Sequence, residues 1–230
     1  MKLSKRLDCI AAMIKKQASS DDQLADIGTD HGYLPCFLVK QNIVRTAYAC
    51  DVAEGPLNSS KETIQMLQLQ DQVIPMLGDG LLPIIDKPVT MVSISGMGGF
   101  LMVDILNAHL DKLNQVHTLI LQANICEYAV REYLCSNGWK IIDEAIVKDL
   151  HHLYEVIVFK RTDKQMEYTV LDYRYGPILR KDQPLLFKQK WQREVEIKKR
   201  ILDSIKDQTH PKFQETKSDI LEIEAILNDH

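Results

Sequence analysis

The sequence predicts an α/β fold built on a doubly wound, largely parallel sheet and followed by a helical tail. Three observations predict it. Strand-like and helix-like patterns alternate regularly over residues 22–160. A glycine-bearing turn, LADIGTDHG at 24–32, follows the first apolar run, and a second glycine cluster, SGMGG at 95–99, follows the most apolar one. A strand, a tight turn and then a helix is the nucleotide-binding start of such a fold.

Within the first turn, Leu24, Ala25 and Ile27 read as the end of a buried strand, interrupted by Asp26. Gly28 and Gly32 bracket Thr29, Asp30 and His31. The order departs from GxGxxG, and a pyrophosphate would meet Asp26 and Asp30 as like charges. An adenosyl ligand with a cationic centre and an amino-acid end would not.

Taken in order, residues 3–17 place Leu3, Leu7, Ile10, Ala11 and Ile14 at helical spacing. The opposite face carries Lys2, Lys5, Arg6, Lys15 and Lys16 against Asp8. After the first strand and its helix, TAYACD at 46–51 is a second strand ending in an acid, and GPLNSSKETIQMLQL at 55–69 is helical, with Pro56 acceptable in its first turn. VIPMLGDG at 73–80 is a third strand and turn, where Pro75 argues for a sheet edge or an irregularity. VTMVSISGMGG at 89–99 is a fourth strand, buried on both faces, and FLMVDILNAHLDKL its helix. HTLILQAN at 117–124 is the fifth, and ICEYAVREYLCSNG the helix that Gly138 stops. Residues 139–147 and 154–160 close the domain as two β-rich segments.

From Arg161 the pattern changes, which sets the expected domains at 1–160 and 161–230. Residues 161–184 read as a polar and aromatic connection turning at Gly176-Pro177. Beyond it, Leu186, Trp191, Val195, Leu202 and Ile205, then Phe213, Ile220, Ile223 and Leu227 after His210-Pro211, predict an antiparallel helical hairpin. Its first helix carries Lys188, Lys190, Arg193, Lys198, Lys199 and Arg200 against Glu194 and Glu196.

Composition narrows the function. The formal net charge of -4 gives no global support for nucleic-acid binding, so local basic patches must carry it. The five cysteines, 9, 36, 50, 126 and 135, show no CxxC spacing and read as free thiols in a reducing compartment. No apolar stretch reaches about 18 residues and the N-terminus lacks a signal core, so a cytoplasmic protein with no membrane contact is expected. There is no HExxH, no GxSxG and no close Cys/His set, so no metal is expected and the chemistry falls to a soluble cofactor.

Asp51, at a strand tip, can accept the ribose hydroxyls of an adenosine, whether in a dinucleotide or in S-adenosylmethionine; a capping role is the plain alternative. Asp79, between Gly78 and Gly80, lies on the same rim and can meet an adenine edge or simply form a DG turn. Ser95-Gly96-Met97-Gly98-Gly99 suits close backbone approach to a ligand or target base but lacks the Lys and Ser/Thr of a phosphate loop. Gln122 and Asn124 are two amides at one carboxyl edge, able to pair with a base edge, with helix capping the alternative for Asn124.

ADIGTDHGYLP at 25–35, DVAEGPL at 51–57, GDGL at 78–81, ISGMGG at 94–99 and LQAN at 121–124, with KLSKRL at 2–7 and YEV at 154–156, resemble the bacterial tRNA (adenine(22)-N1)-methyltransferases. The resemblance spans residues 2–160, with a similar helical tail. It implies a class I, Rossmann-like methyltransferase domain with a C-terminal coiled-coil-like domain. It also implies S-adenosyl-L-methionine as cofactor and methylation of N1 of an adenine in the D-arm region of tRNA. By the same resemblance Asp26, Gly28, Asp30, His31 and Gly32 line the methionine and ribose side, Asp51 takes the ribose, and Gly78, Asp79 and Gly80 meet the adenine. Ser95 and Gly96 join the cofactor set. Asn124, Gly96, Met97 and Gly98 form the catalytic set. Where the family reads LQPN this chain has Ala123, which loosens that loop.

Adenine N1 already holds an in-plane lone pair, so no strong base is needed, but the base must be unpaired or flipped out. Phosphates would fall to Lys2, Lys5, Arg6, Lys15 and Lys16 and to the 188–200 cluster. The protein is expected to act as a monomer without an obligate protein partner. The alternatives are a methyltransferase for DNA, protein or a small molecule, and a non-catalytic RNA-binding adapter.

Overall fold

The alternating apolar runs become one seven-stranded sheet. The computed structural model describes residues 1–112, 114–164 and 166–229, which divide into two compact units meeting in sequence after Gly176. In chain order the first unit comprises α1 (Lys5–Gln17), β1 (Gln23–Ile27), α2 (Tyr33–Lys40), β2 (Thr46–Asp51), α3 (Glu54–Met66) and β3 (Val73–Leu77). It continues with β4 (Met91–Met97), α4 (Gly99–His109), β5 (Thr118–Ala123), α5 (Glu127–Ser136), β6 (Trp139–Asp149), β7 (His152–Arg161) and α6 (Val170–Tyr175). Leu113, expected at the end of the fourth helix, lies outside the described residues.

The strand order is β3-β2-β1-β4-β5-β7-β6. β1 to β5 pair in parallel, while β7 runs antiparallel to both β5 and β6. The chain winds outward from β1 through β2 and β3, then crosses back to β4 and winds the other way. At that reversal, between β1 and β4, the carboxyl ends of the strands open a crevice where doubly wound folds bind ligands. Pro75 sits in β3, an edge strand paired only to β2, where a missing N–H costs no ladder bond on the open side.

The period-2 pattern decides the packing. Leu24, Ala47, Ala49, Ile120, Val156 and Val158 face a single core shared with Ile10 and Ile14 of α1 and Leu34 and Leu38 of α2. α1 starts at Ser4, whose Oγ accepts the Leu7 N–H at 3.2 Å, and packs against β5, β6 and β7. Arg6 is thereby carried to the carboxyl end of β5.

The boundary expected at Arg161 lies instead after Gly176. Residues 161–175 belong to the first unit because buried polar bonds tie them there. Arg131 of α5, fully buried, donates from Nε to Glu144 Oε1 at 2.8 Å, from Nη2 to Glu155 Oε2 at 2.6 Å and from Nη1 to the Tyr173 carbonyl at 3.2 Å. The Ile141 N–H donates to the Tyr168 hydroxyl at 3.0 Å. The two carboxylates hold the Arg131 proton well above its ordinary range despite burial. The expected irregular connection is also partly helical: α6 opens on a capping box in which Thr169 and Asp172 satisfy each other's backbone N–H groups.

The second unit contains α7 (Pro177–Asp182), α8 (Leu185–Ser204) and α9 (Pro211–Asn228). Gln183 Nε2 donates to the Ile226 carbonyl and Lys198 pairs with Asp219, so α8 and α9 run antiparallel. α8 buries Phe187, Trp191 and Val195, and α9 buries Thr216, Ile220, Ile223 and Ile226. Phe187 and Ile226 take the seam positions expected of their neighbours Leu186 and Leu227, while Leu202, Ile205 and Phe213 are half-buried. α9 begins with Pro211 at its first position and the His210 ring accepting the Lys212 N–H, a start set by sequence alone.

Candidate active site at the carboxyl edge of the sheet

The turn after β1 is tied to the end of β2. The N–H groups of Gly28 and Thr29 both donate to the Cys50 carbonyl, at 2.9 and 3.0 Å. Gly28 has φ +73°, and a Cβ added there would run into the terminal methyl of Met97. The positive φ is the demand that glycine meets without strain. Asp30, at φ +55°, offers its N–H to Asp51 Oδ2 at 3.3 Å, and its carbonyl accepts the Ser60 hydroxyl at 2.8 Å. Asp51 Oδ1 accepts the Ala53 N–H at 3.0 Å. Asp51 is thus held by two backbone groups and stays half-exposed at the strand tip.

Asp26 is placed differently from the sequence expectation. It is 4% exposed, with Oδ1 bonded by Ser93 Oγ at 2.7 Å and Oδ2 by Thr29 Oγ1 at 2.9 Å. Burial pushes its pKa up to about 6; the two hydroxyls and the Arg6 charge pull against this, and Asp51 adds to it. Its carboxylate lies beneath the turn, not on the surface of the crevice. His31 is exposed, stacked on the Tyr33 ring at 5.2 Å with Nε2 3.6 Å from Asp30 Oδ2.

Around the next strand tip, the Gly78 N–H donates to the Asp51 carbonyl at 3.0 Å, which brings Asp79 and Gly80 to the same rim. Asp79, Gly80, Leu101, Asp104 and Ile105 border a cavity of about 210 Å³ between this turn and α4.

β4 ends in a feature that apolar periodicity does not announce. Ser95 pairs with Gln122 and Met97 with Ala123, so Gly96 is an extra residue in the ladder at φ +79°. The bulge re-aims Met97 across to Gly28. The side chain of Met97, a member of the expected catalytic set, ends against Gly28 of the turn after β1. The loops after β4 and β5 are laced together: the Asn124 N–H donates to the Met97 carbonyl at 2.7 Å and the Gly99 N–H to the Ile125 carbonyl at 2.9 Å. A Cβ at Gly99 would run into the Cys126 carbonyl, so the two loops close only over a glycine.

Asn124 is exposed at this junction, and its Nδ2 donates to the Gly96 carbonyl at 2.8 Å. Gln122, expected to pair with a base alongside it, is fully buried and turned inward. Gln122 Oε1 accepts from Arg6 Nη1 at 2.6 Å and from the Gly96 N–H at 3.2 Å, and Nε2 donates to Asn124 Oδ1 at 3.1 Å. Arg6, expected on a phosphate-binding face, lies 5.6 Å from the Tyr154 ring centre and reaches into the site.

The basic groups split accordingly. Lys2, Lys5 and Lys15 are exposed, while Lys16 pairs with Asp143 at 2.7 Å. In the tail, Lys198 binds Asp219 at 2.7 Å and Lys199 binds Glu224 at 2.9 Å, so both clasp the hairpin. Lys190 lies 5.3 Å from the Trp191 ring centre, Lys188 is half-buried, and Arg193 and Arg200 are exposed. Sequence reasoning missed the exposed apolar rim beside Asn124: Phe100, Leu101, Ile125 and Tyr128, with Phe100 and Tyr128 edge to face at 6.0 Å. Its only signal was large apolar residues at positions that no core periodicity requires. Among the described residues, no three His, Cys, Asp or Glu gather into a metal site, and no helix is long and apolar enough to cross a membrane.

The chemistry of this donor set fits S-adenosylmethionine. Four acids on or under one rim, Asp26, Asp30, Asp51 and Asp79, favour a cationic ligand with hydroxyls to donate and repel a pyrophosphate. The glycine turn under Met97 gives backbone access where a side chain would block it.

Comparison with known proteins agrees. The chain is 34% identical over its full length, and over 98% of the relative's, to the tRNA (adenine(22)-N(1))-methyltransferase of Bacillus subtilis. It superposes on Streptococcus pneumoniae Sp1610 in complex with S-adenosyl-L-methionine with a TM-score of 0.89, at 33% identity, covering 98% of this chain and 100% of that one. Mycoplasma capricolum TrmK in complex with S-adenosyl-homocysteine gives 0.88 at 25% identity, covering 99% of each. The profile of one family matches residues 24–225. The chain belongs to that family, TrmK, the tRNA (adenine(22)-N(1))-methyltransferases.

Proposed function

We propose that this protein transfers a methyl group from S-adenosylmethionine to N1 of adenine 22 in tRNA. The observation that carries this reading is the placement of Asn124, exposed and hydrogen-bonded, where the loops after β4 and β5 meet beside the acidic rim. When bound, S-adenosylmethionine supplies an activated methyl on a sulfonium centre. The chain's own residues bind and orient. Asp51 accepts ribose hydroxyls, the 28–32 turn receives the amino-acid end, and Gly78, Asp79 and Gly80 border the adenine ring. Asp26, from beneath, contributes negative potential to a cationic ligand. Asn124 holds the exocyclic amine of the target, leaving N1 unobstructed, and proximity does most of the remaining work.

The target base must leave its stack, and the rim formed by Phe100, Ile125 and Tyr128 offers apolar surface to an extruded base. Exposed Lys2, Lys5, Lys15, Arg193 and Arg200 supply phosphate contacts. Free thiols and the tRNA substrate support a cytoplasmic location. Pro75 withholds an N–H from one sheet edge, which supports a monomer.

The test is transfer of labelled methyl from S-adenosylmethionine to tRNA, to the same tRNA with guanine at position 22, to DNA and to bulk protein. Labelling of the first alone is expected. Equal labelling of the guanine variant would overturn the position, and labelling of DNA or protein instead would overturn the substrate.

A further inference from the structure

Gln122 is fully buried, yet its carboxamide is bonded at both ends. The polarity of this network follows from its fixed members. An arginine guanidinium and a backbone N–H can only donate. Arg6 Nη1 and the Gly96 N–H therefore require the oxygen of Gln122, and Nε2 is left to face Asn124. Asn124 in turn must present Oδ1 to Gln122 and Nδ2 to the Gly96 carbonyl. After these bonds Asn124 keeps one acceptor position on Oδ1 and one hydrogen on Nδ2.

An acceptor beside a donor on one amide matches the amine and N7 of adenine, the edge that asparagine reads with two hydrogen bonds. Recognition on that edge leaves N1 free. A 6-carbonyl purine presents two acceptors on that edge, O6 and N7, and cannot satisfy an acceptor beside a donor. We infer that Gln122, anchored by Arg6, is a positioning residue that sets the Asn124 carboxamide so that the site selects a 6-aminopurine by its N6/N7 edge. This inference rests on the proposed methylation of adenine 22.

The decisive variant is Gln122→Glu. It keeps the size of the side chain and the acceptor for Arg6 and Gly96, but its carboxylate has no hydrogen for Asn124. Binding is measured by fluorescence anisotropy, without methyl donor, for tRNA carrying either adenine or unsubstituted purine at position 22. Wild type is expected to prefer adenine by about tenfold, the low end of what a bidentate pair discriminates. The variant should bring that ratio to about one. A role in stability alone would leave the ratio intact. Arg6→Met removes the anchor from a half-buried position on α1 and serves if the glutamate variant fails to fold; the same loss of ratio is expected. An unaltered ratio in folded variants, or a ratio of one in wild type, overturns the inference. Failure of wild type to methylate adenine 22 overturns the proposed function instead.

Discussion

The Asp51 carboxylate accepts the Asp30 backbone N–H at 3.3 Å, so the tip of β2 and the turn after β1 are held as one surface. Both residues lie at carboxyl ends of adjacent parallel strands, where Asp26 pairs in register with Ala49 and Ile27 with Cys50. The acid that would bind a ribose also shapes the turn that would receive the rest of the ligand.

Asp51→Ala should therefore weaken S-adenosylmethionine binding by about 1.5–3 kcal/mol, the range for a hydrogen bond to a charged group. Isothermal titration calorimetry measures it, with circular dichroism to verify folding. Wild-type affinity in a folded variant would remove Asp51 from the cofactor site.

Asp26 predicts a pH effect with a definite sign. The folded chain keeps its proton up to about pH 6, whereas an unfolded aspartate loses it near 3.9. Between these values the folded state binds more protons, so stability falls as pH rises. Asp26→Asn abolishes that titration. Stability relative to wild type should shift in the variant's favour by about 2 kcal/mol between pH 4 and pH 7, less than two full units at 1.36 each because the unfolded aspartate is already half ionised at pH 4. Urea unfolding at several pH values checks this, and a pH-independent difference would refute it.

Two glycines should respond oppositely to alanine. Gly55, early in α3, has nothing within 4 Å of an added Cβ, so Gly55→Ala should stabilise by about 0.4–1 kcal/mol. Gly99→Ala drives a methyl into the Cys126 carbonyl and should cost about 1–3 kcal/mol as the two loops part. It should also lower the methylation rate, because Asn124 sits on the displaced loop. Thermal unfolding of the pair, with a single-turnover assay, separates the two effects.

The tail helices predict a division of labour among basic groups. Lys198→Gln should lower stability by up to about 1 kcal/mol, because it breaks a half-buried pair with Asp219. Arg200→Gln should leave stability alone, weaken tRNA binding and reduce its salt dependence by up to roughly 0.9 in log–log slope, if one duplex-like phosphate contact is lost. Filter binding across a salt series, beside urea unfolding, tests both. An unchanged salt slope would take Arg200 out of the RNA interface.

The order of strands, turns and helices was determined by the sequence itself. Side-chain periods of 2 and 3.6, glycines at tight turns and Pro75 at an edge act over a few residues, so they are written where they act. The crevice at the β1/β4 reversal followed from that order, and with it the rim of Asp30, Asp51, Asp79 and Asn124. The tertiary structure alone decided what the polar side chains do. Arg6 and Lys198 look alike in sequence as basic residues on helices, yet one braces Gln122 across 116 positions and the other clasps Asp219. Gln122 and Asn124 are two residues apart, and one is buried while the other is exposed. The bulge at Gly96, which turns Met97 onto Gly28, is likewise invisible to periodicity. Long, flexible charged and amide groups can reach in several directions at similar cost. Which partner they take depends on elements distant in sequence that only folding brings within hydrogen-bonding range.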